Sequence, residues 1–218
     1  MLGVEAEGRL TGLALIEPVE HHASVFSRSS EVADRLIRAA GVDTAFAEVE
    51  LARPREAVTI YATSLEEAPR VPMRHRPFVV ARADRERVAE LVREMYGTTA
   101  ARWTEVAFSA GEACLAVDVG GLLAGVAWLT VVGPVARLHT LSVRPGFRRM
   151  GIGTDLASAR LLLARHVGAR RAISEIAETN AGSRAVAERV GMAPSGRMFL
   201  YSGSPPTPGG TPRFPRSG

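Results

Sequence analysis

A chain of 218 residues, 46% hydrophobic and 23% charged, has the composition of one globular domain with room for an extension. Its 27 basic residues are all arginine and scattered, with a net charge of only +4, which argues against nucleic-acid binding. No apolar run approaches the roughly 18–20 residues of a membrane span, no leader pattern opens the chain, and one cysteine, Cys114, excludes an intrachain disulfide; the expectation is a cytoplasmic protein.

In chain order, Gly8-Arg9-Leu10-Thr11-Gly12-Leu13-Ala14-Leu15 is similar to Gly121-Leu122-Leu123-Ala124-Gly125-Val126-Ala127-Trp128. The stretch from Ser30 through Ala40-Gly41-Val42 parallels Asn180 through Gly191-Met192, so an internal repeat is indicated. Ser29 or Ser30 is expected to cap a helix over Glu31–Ala40 that stops at Gly41. Phe46–Leu51 and Val58–Ala62 alternate as strands do. His21-His22 has no second ligand cluster at metal-binding spacing, so no metal site is expected. Pro69–Pro77 reads as a linker.

A second region opens with a strand at Phe78–Arg82. A helix capped by Asp84 follows over Arg85–Tyr96, with Val88, Leu91, Val92 and Met95 on one face. Thr98–Phe108 suggests a less regular helix carrying Trp103. Ala113–Val119 and Leu122–Val132 form a hairpin across Gly120-Gly121. Gly133-Pro134 turns into the strand that feeds the most informative stretch. Strand Arg171–Ala177, a helix over Gly182–Val190 and a strand over Arg197–Tyr201 complete the region. The tail after Ser202 is rich in proline and glycine with little to bury, so residues 204–218 are expected to be disordered. Strands interleaved with helices make this a mixed α/β protein.

The informative stretch is Leu138–Thr154, LHTLSVRPGFRRMGIGT. Leu138, Thr140 and Ser142 alternate with His139, Leu141 and Val143, as in a buried strand. Arg144-Pro145-Gly146 ends it. A loop with Gly151 and Gly153 then opens an alanine- and leucine-rich helix from Thr154. Free N–H groups at a helix start, glycines that admit close approach, and Arg148 and Arg149 together suit an anion. The loop is neither a Walker loop nor a dinucleotide fingerprint, because the lysine of the first and the third glycine and acidic residue of the second are missing.

Arg148-x-x-Gly151-x-Gly153 after Leu141-Ser142-Val143-Arg144-Pro145 resembles the acyl-CoA loop of the GNAT superfamily of N-acetyltransferases. Ile173-Ser174-Glu175-Ile176-Ala177-Glu178-Thr179-Asn180, then Ser183 and Val190-Gly191-Met192, resembles that family's second signature. The resemblance covers about residues 76–203, taken as the catalytic domain. Residues 1–75 then read as a smaller α/β region, a degenerate half-repeat without the glycine loop. The implied fold is a mixed central sheet flanked by helices, its two central parallel strands splayed to admit the acyl-CoA arm.

The resemblance also implies roles. Acetyl-CoA would be the acyl donor, with no metal, and a primary amine of a small molecule, amino acid or peptide N-terminus the acceptor. Leu141, Ser142 and Val143 would pair with the pantetheine arm and polarise the thioester. Arg148, Arg149, Met150, Gly151, Ile152, Gly153 and Thr154 would hold the pyrophosphate, and Asn180 and Ser183 would contact the donor. The acceptor would be gripped near Tyr96–Trp103 and Ala193–Arg197. Relatives place a glutamate where this chain has Arg137, so His139, two residues on, is the first candidate base and Glu175 the second. Relatives also place a proton-donating tyrosine where this chain has Ala187, which leaves Tyr201 as a donor or a thiolate leaving group. Those two departures keep open a non-catalytic acyl-CoA-binding sensor or scaffold, and a homodimer is left open as well. With no lysine in the chain, self-acetylation on a lysine side chain is excluded.

Overall fold

The computed structural model describes residues 2–6, 9–17, 22–27, 30–40, 44–47, 56–66 and 71–202. They belong to two compact units, residues 1–58 with 197–218, and residues 59–196. His21 and the tail 204–218 lie outside the described residues, as do the side chains of His22 and Tyr201.

The first unit contains β1 (Leu2–Ala6), β2 (Arg9–Glu17), β3 (His22–Ser27), α1 (Ser30–Ala40) and β4 (Thr44–Ala47). β1 and β3 each pair antiparallel with β2, and β4 pairs parallel with β3 through the α1 crossover. Phe199–Ser202, the end of β11 (Ala193–Ser202), pairs antiparallel with β4. Ala33, Leu36 and Ile37 bury one stripe of α1, the spacing of an amphipathic helix. Glu31 in its first turn and Arg38 in its last agree with the helix dipole. β4 begins two residues before the expected Phe46, and residues 48–51 lie outside the described residues.

The second unit takes in β5 (Glu56–Ser64) from Thr59, β6 (Phe78–Val79), α2 (Arg85–Tyr96), α3 (Thr98–Ser109) and β7 (Ala113–Val119). Then come β8 (Leu122–Val132), β9 (Val135–Val143), α4 (Ile152–His166), β10 (Arg171–Ala177), α5 (Ala181–Arg189) and the first residues of β11. Its strands lie in the order β11-β5-β10-β9-β8-β7-β6. The β7–β8 hairpin turns at Gly120 (φ 63°) and Gly121 (φ 85°), the paired left-handed residues that a two-residue hairpin turn requires. β6 is shorter than expected because a 3-10 turn takes over at Arg82–Asp84. Asp84 does not cap α2; its Oδ1 instead accepts from Arg87 Nη1 at 3.0 Å.

Helices cover both faces of this sheet. Val88, Leu91 and Val92 of α2 and Ala107 and Phe108 of α3 bury Cys114, Ala116, Leu123, Val126 and Trp128 on one face. Ala157, Leu161 and Ala164 of α4 pack with Leu129, Ala136 and Leu138 on the other. Desolvation in the first layer pushes the Cys114 thiol well above its ordinary pKa, so it serves as a small hydrophobe.

Two departures from regularity in β9 create an opening. Its parallel register with β10 covers Arg171↔Val135, Ala172↔Ala136 and Ile173↔Arg137, while β9 continues to Val143 and β10 to Ala177. The strands therefore part beyond Arg137, as the expected splay requires. On the other edge, Val126 faces Ser142 while Trp128 faces His139, so β9 carries one residue more than β8 across that interval. This is a β-bulge, and Thr140 within it has φ 45°. The bulge corrects the alternation read from sequence. Leu138, Leu141 and Val143 pack with the α4 side, whereas His139 touches Trp103 of α3 and Ser142 touches Tyr96 of α2.

Candidate functional site

The loop between β9 and α4 is held at its root by Arg144. Its N–H donates to Ala124 O at 2.9 Å, its Nε donates to Leu123 O at 2.8 Å, and its Nη1 pairs with Glu94. Pro145–Phe147 then makes a 3-10 turn, and Arg148 Nε donates back to Val143 O at 3.2 Å. Arg149 (φ 67°) and Gly151 (φ 93°) both adopt the left-handed conformation that brings the chain sharply into α4. The two glycines act differently. Gly151 supplies the turn, whereas a Cβ on Gly153 would meet Val186, Leu141 and Val143 at 3.5–3.9 Å, so Gly153 lies close to β9 and α5. Ile152 is buried with Leu156, Leu115 and Val117 and anchors the loop to the core. Thr154 is buried as well, while Arg148, Arg149 and Met150 are exposed. Backbone donors, a helix start and cationic side chains thus converge at one end of the splay, an arrangement that suits a phosphate.

The bulge is buttressed from the α4 side by Arg160, which is only 4% exposed. Its Nη1 donates to Trp128 O at 3.1 Å and to His139 O at 3.0 Å, the two residues that face each other where the bulge begins. Burial pushes the guanidinium down to about 9, still above neutrality, so the cation persists at pH 7. Thr140 is β-branched, and its left-handed backbone stores roughly 1–3 kcal/mol of strain. Its bonded neighbour His139 holds the distortion from one side.

On the opposite face His139 lies in a polar cluster. Its Nε2 is 3.0 Å from Thr130 Oγ1 and 3.3 Å from Glu112 Oε2, and its Nδ1 is 3.3 Å from Thr140 Oγ1. The Trp103 ring meets the imidazole edge-on at 5.9 Å. Burial raises the Glu112 carboxyl, but the pull of His139, followed by Thr130 and Arg137, leaves it below its ordinary value. A depressed carboxyl stabilises the fold above its unfolded pKa of about 4.3, and the contribution is lost as pH falls through the folded value. Glu112→Gln is therefore expected to lose about 1–2 kcal/mol at pH 7. Urea midpoints should show that gap closing below pH ~4.

The other residues singled out from sequence divide. Asn180 caps α5, its Oδ1 accepting from Ser183 N at 3.0 Å, so those two residues meet each other at the second signature. Glu175 is engaged by Arg137, whose Nε reaches its two oxygens at 3.1 and 3.2 Å. Ala187 is buried. Tyr201 lies in the first unit, facing Ala45 in register. Sequence reasoning missed three participants. Glu112, Thr130 and Arg160 gave no signal, since each joins the site from a different part of the chain. Tyr96, which opens the stretch expected to grip the acceptor, has its Oη 2.7 Å from Ser142 Oγ. Among the described residues, no group of three or more His, Cys, Asp or Glu could hold a metal, and no helix is long and apolar enough to cross a membrane.

Comparison with known proteins agrees with this arrangement. No curated protein matches the sequence. Among solved structures, the chain is similar to a GCN5-related N-acetyltransferase from Sphaerobacter thermophilus, with TM-score 0.65 and 16% identity over 89% of this chain and 76% of that one. A GCN5-related N-acetyltransferase from Kribbella flavida gives TM-score 0.64 and 17% identity over 92% and 88%. A tandem GNAT protein from the clavulanic acid biosynthesis pathway gives TM-score 0.56 and 20% identity over 93% and 82%. These identities establish a shared fold. The model of the acetyltransferase (GNAT) family matches residues 78–192, a span that runs from β6 through the bulge, the glycine loop and α5, and the chain belongs to that family.

Proposed function

We propose that the chain is an N-acetyltransferase that moves an acetyl group from acetyl-CoA to a primary amine of a small molecule, amino acid or peptide N-terminus by direct attack. The observation that carries this reading is the bulged and splayed β9 leading straight into the Gly151 loop. Backbone groups of Leu141, Ser142 and Val143 would pair with the pantetheine arm in the splay. Arg148–Thr154 would hold the pyrophosphate. Asn180 would offer its side-chain amide, whose oxygen already caps α5.

His139 would take the proton of the attacking amine, and Glu112 would stabilise the resulting imidazolium across 3.3 Å. Glu175, the second candidate, would have to leave Arg137 before accepting a proton. Tyr96 Oη, beside Ser142, is a proton source for the leaving thiolate, with Tyr201 the alternative. Residues 76–203 would form the catalytic domain, and residues 1–75 a degenerate half of the same fold. Support for the half comes from connection order. β1-β2-β3-α1-β4 repeats the antiparallel, antiparallel, parallel-crossover sequence of β7-β8-β9-α4-β10. Only residues 28 and 29 separate β3 from α1, against 144–151 before α4, too few for a phosphate loop.

Calorimetry with acetyl-CoA and CoA on the wild type and on Gly151→Trp tests the reading. The wild type should bind and the variant should not, because φ 93° disfavours any side chain and the indole would fill the phosphate position. A thiol-release screen over amines would follow. Should a folded wild type bind neither compound, the loop is only a turn and the proposal falls.

A further inference from the structure

Asp155 is a misplaced charge by the logic of the loop. It lies in the first turn of α4, 2% exposed, where a carboxylate would repel a bound phosphate. Its oxygens are already engaged by a segment from 80 residues upstream in sequence. Oδ2 accepts from His75 N–H at 3.0 Å and lies 2.7 Å from His75 Nδ1, and Oδ1 accepts from Arg74 N–H at 3.3 Å. Residues 71–77, read from sequence as part of a linker, therefore form a strap latched onto the start of α4. The latch sets Arg74 against the loop: a Cβ on Gly151 would lie 3.6 Å from Arg74 Cδ. Arg74 is exposed, and among the described residues its guanidinium has no ion-pair partner.

We propose that Arg74 is a third phosphate-binding arginine of the glycine loop, delivered by the strap, and that Asp155 is the positioning residue that holds it there. This rests on the reading that the loop binds CoA. The latch engages both oxygens of a carboxylate that would otherwise face the ligand, and it brings a planar, bidentate donor to the ligand's edge. Arg148 is committed through Nε to Val143 O, so Arg74 adds a guanidinium that no backbone carbonyl occupies. The ligand chemistry is a phosphoryl oxygen, either of the diphosphate or of the ribose 3′-phosphate.

Calorimetry with CoA and with 3′-dephospho-CoA on the wild type, Arg74→Ala and Asp155→Asn decides the matter. Arg74→Ala should weaken CoA about 5- to 30-fold, the range for losing a charge-assisted pair. An equal loss for dephospho-CoA places Arg74 on the diphosphate, and a loss confined to CoA places it on the 3′-phosphate; either supports the proposal. Asp155→Asn should weaken CoA in the same sense, and adding it to Arg74→Ala should weaken binding no further. Arg74 is exposed, so its variant carries the test even if Asp155→Asn fails to fold. Wild-type affinity in Arg74→Ala, with binding abolished in Gly151→Trp, overturns the strap's role and leaves the CoA reading intact. No binding by the wild type overturns both.

Discussion

Replacing His139 with alanine is expected to lower turnover by about 10²–10⁴-fold, the range lost with a general base. CoA affinity should be unchanged, because the imidazole and the glycine loop lie on opposite sides of β9. The bulge is the reason: it turns Leu141 and Val143 toward α4 while His139 faces α3. The measurement is kcat and KM for any amine the wild type acetylates, alongside calorimetry with CoA. A fall in kcat at constant affinity, with partial rescue by added imidazole, supports the base. Glu112→Gln should give a smaller loss in kcat, since Glu112 acts through the imidazole and touches no substrate. Wild-type kcat in His139→Ala would remove His139 from the chemistry and turn attention to Glu175.

The sequence made the loop legible because glycine spacing and a helix start are local signals. The β7–β8 hairpin and β10 match their expected bounds for the same reason: paired glycines and alternation suffice. The bulge was illegible. Its residue, Thr140, is the wrong type for a positive φ, and Arg160, far along the chain, donates to the carbonyl beside it. Alternation therefore assigned Leu141, Ser142 and Val143 to the wrong faces. The Glu112–His139 contact was hidden too, because it joins the turn between α3 and β7 to the middle of a strand. Arg137 was read as a missing base, and the structure gives it a partner in Glu175. Long-range pairs of this kind have no periodicity to reveal them.

Gly125→Val is expected to destabilise the second unit by about 1–3 kcal/mol or more and to weaken CoA binding as well. Gly125 lies in β8 opposite Val143, where β9 ends and the loop begins. A Cβ there would come within 2.9 Å of Ser142 O, a backbone atom, and 3.1 and 3.2 Å of Ile152 Cγ2 and Leu156 Cδ1 in α4. Two effects compete. Valine favours a strand, and relieving glycine's entropy gains roughly 0.5–1 kcal/mol. Against it, a backbone oxygen bonded into a sheet cannot swing aside as a side-chain tip can, so the clash wins. The strain has one direction to relax, lifting the start of α4 away from the sheet. That motion would displace Ile152, the buried anchor of the loop, and with it the backbone donors around Gly151. Urea denaturation should therefore show a lower midpoint, and calorimetry a weaker CoA complex in the fraction that stays folded. A variant as stable as the wild type would mean that α4 packs less tightly on β8 than these distances state. A destabilised variant with intact affinity would mean instead that the loop holds its shape without Ile152, on Arg144 and the Asp155 latch alone.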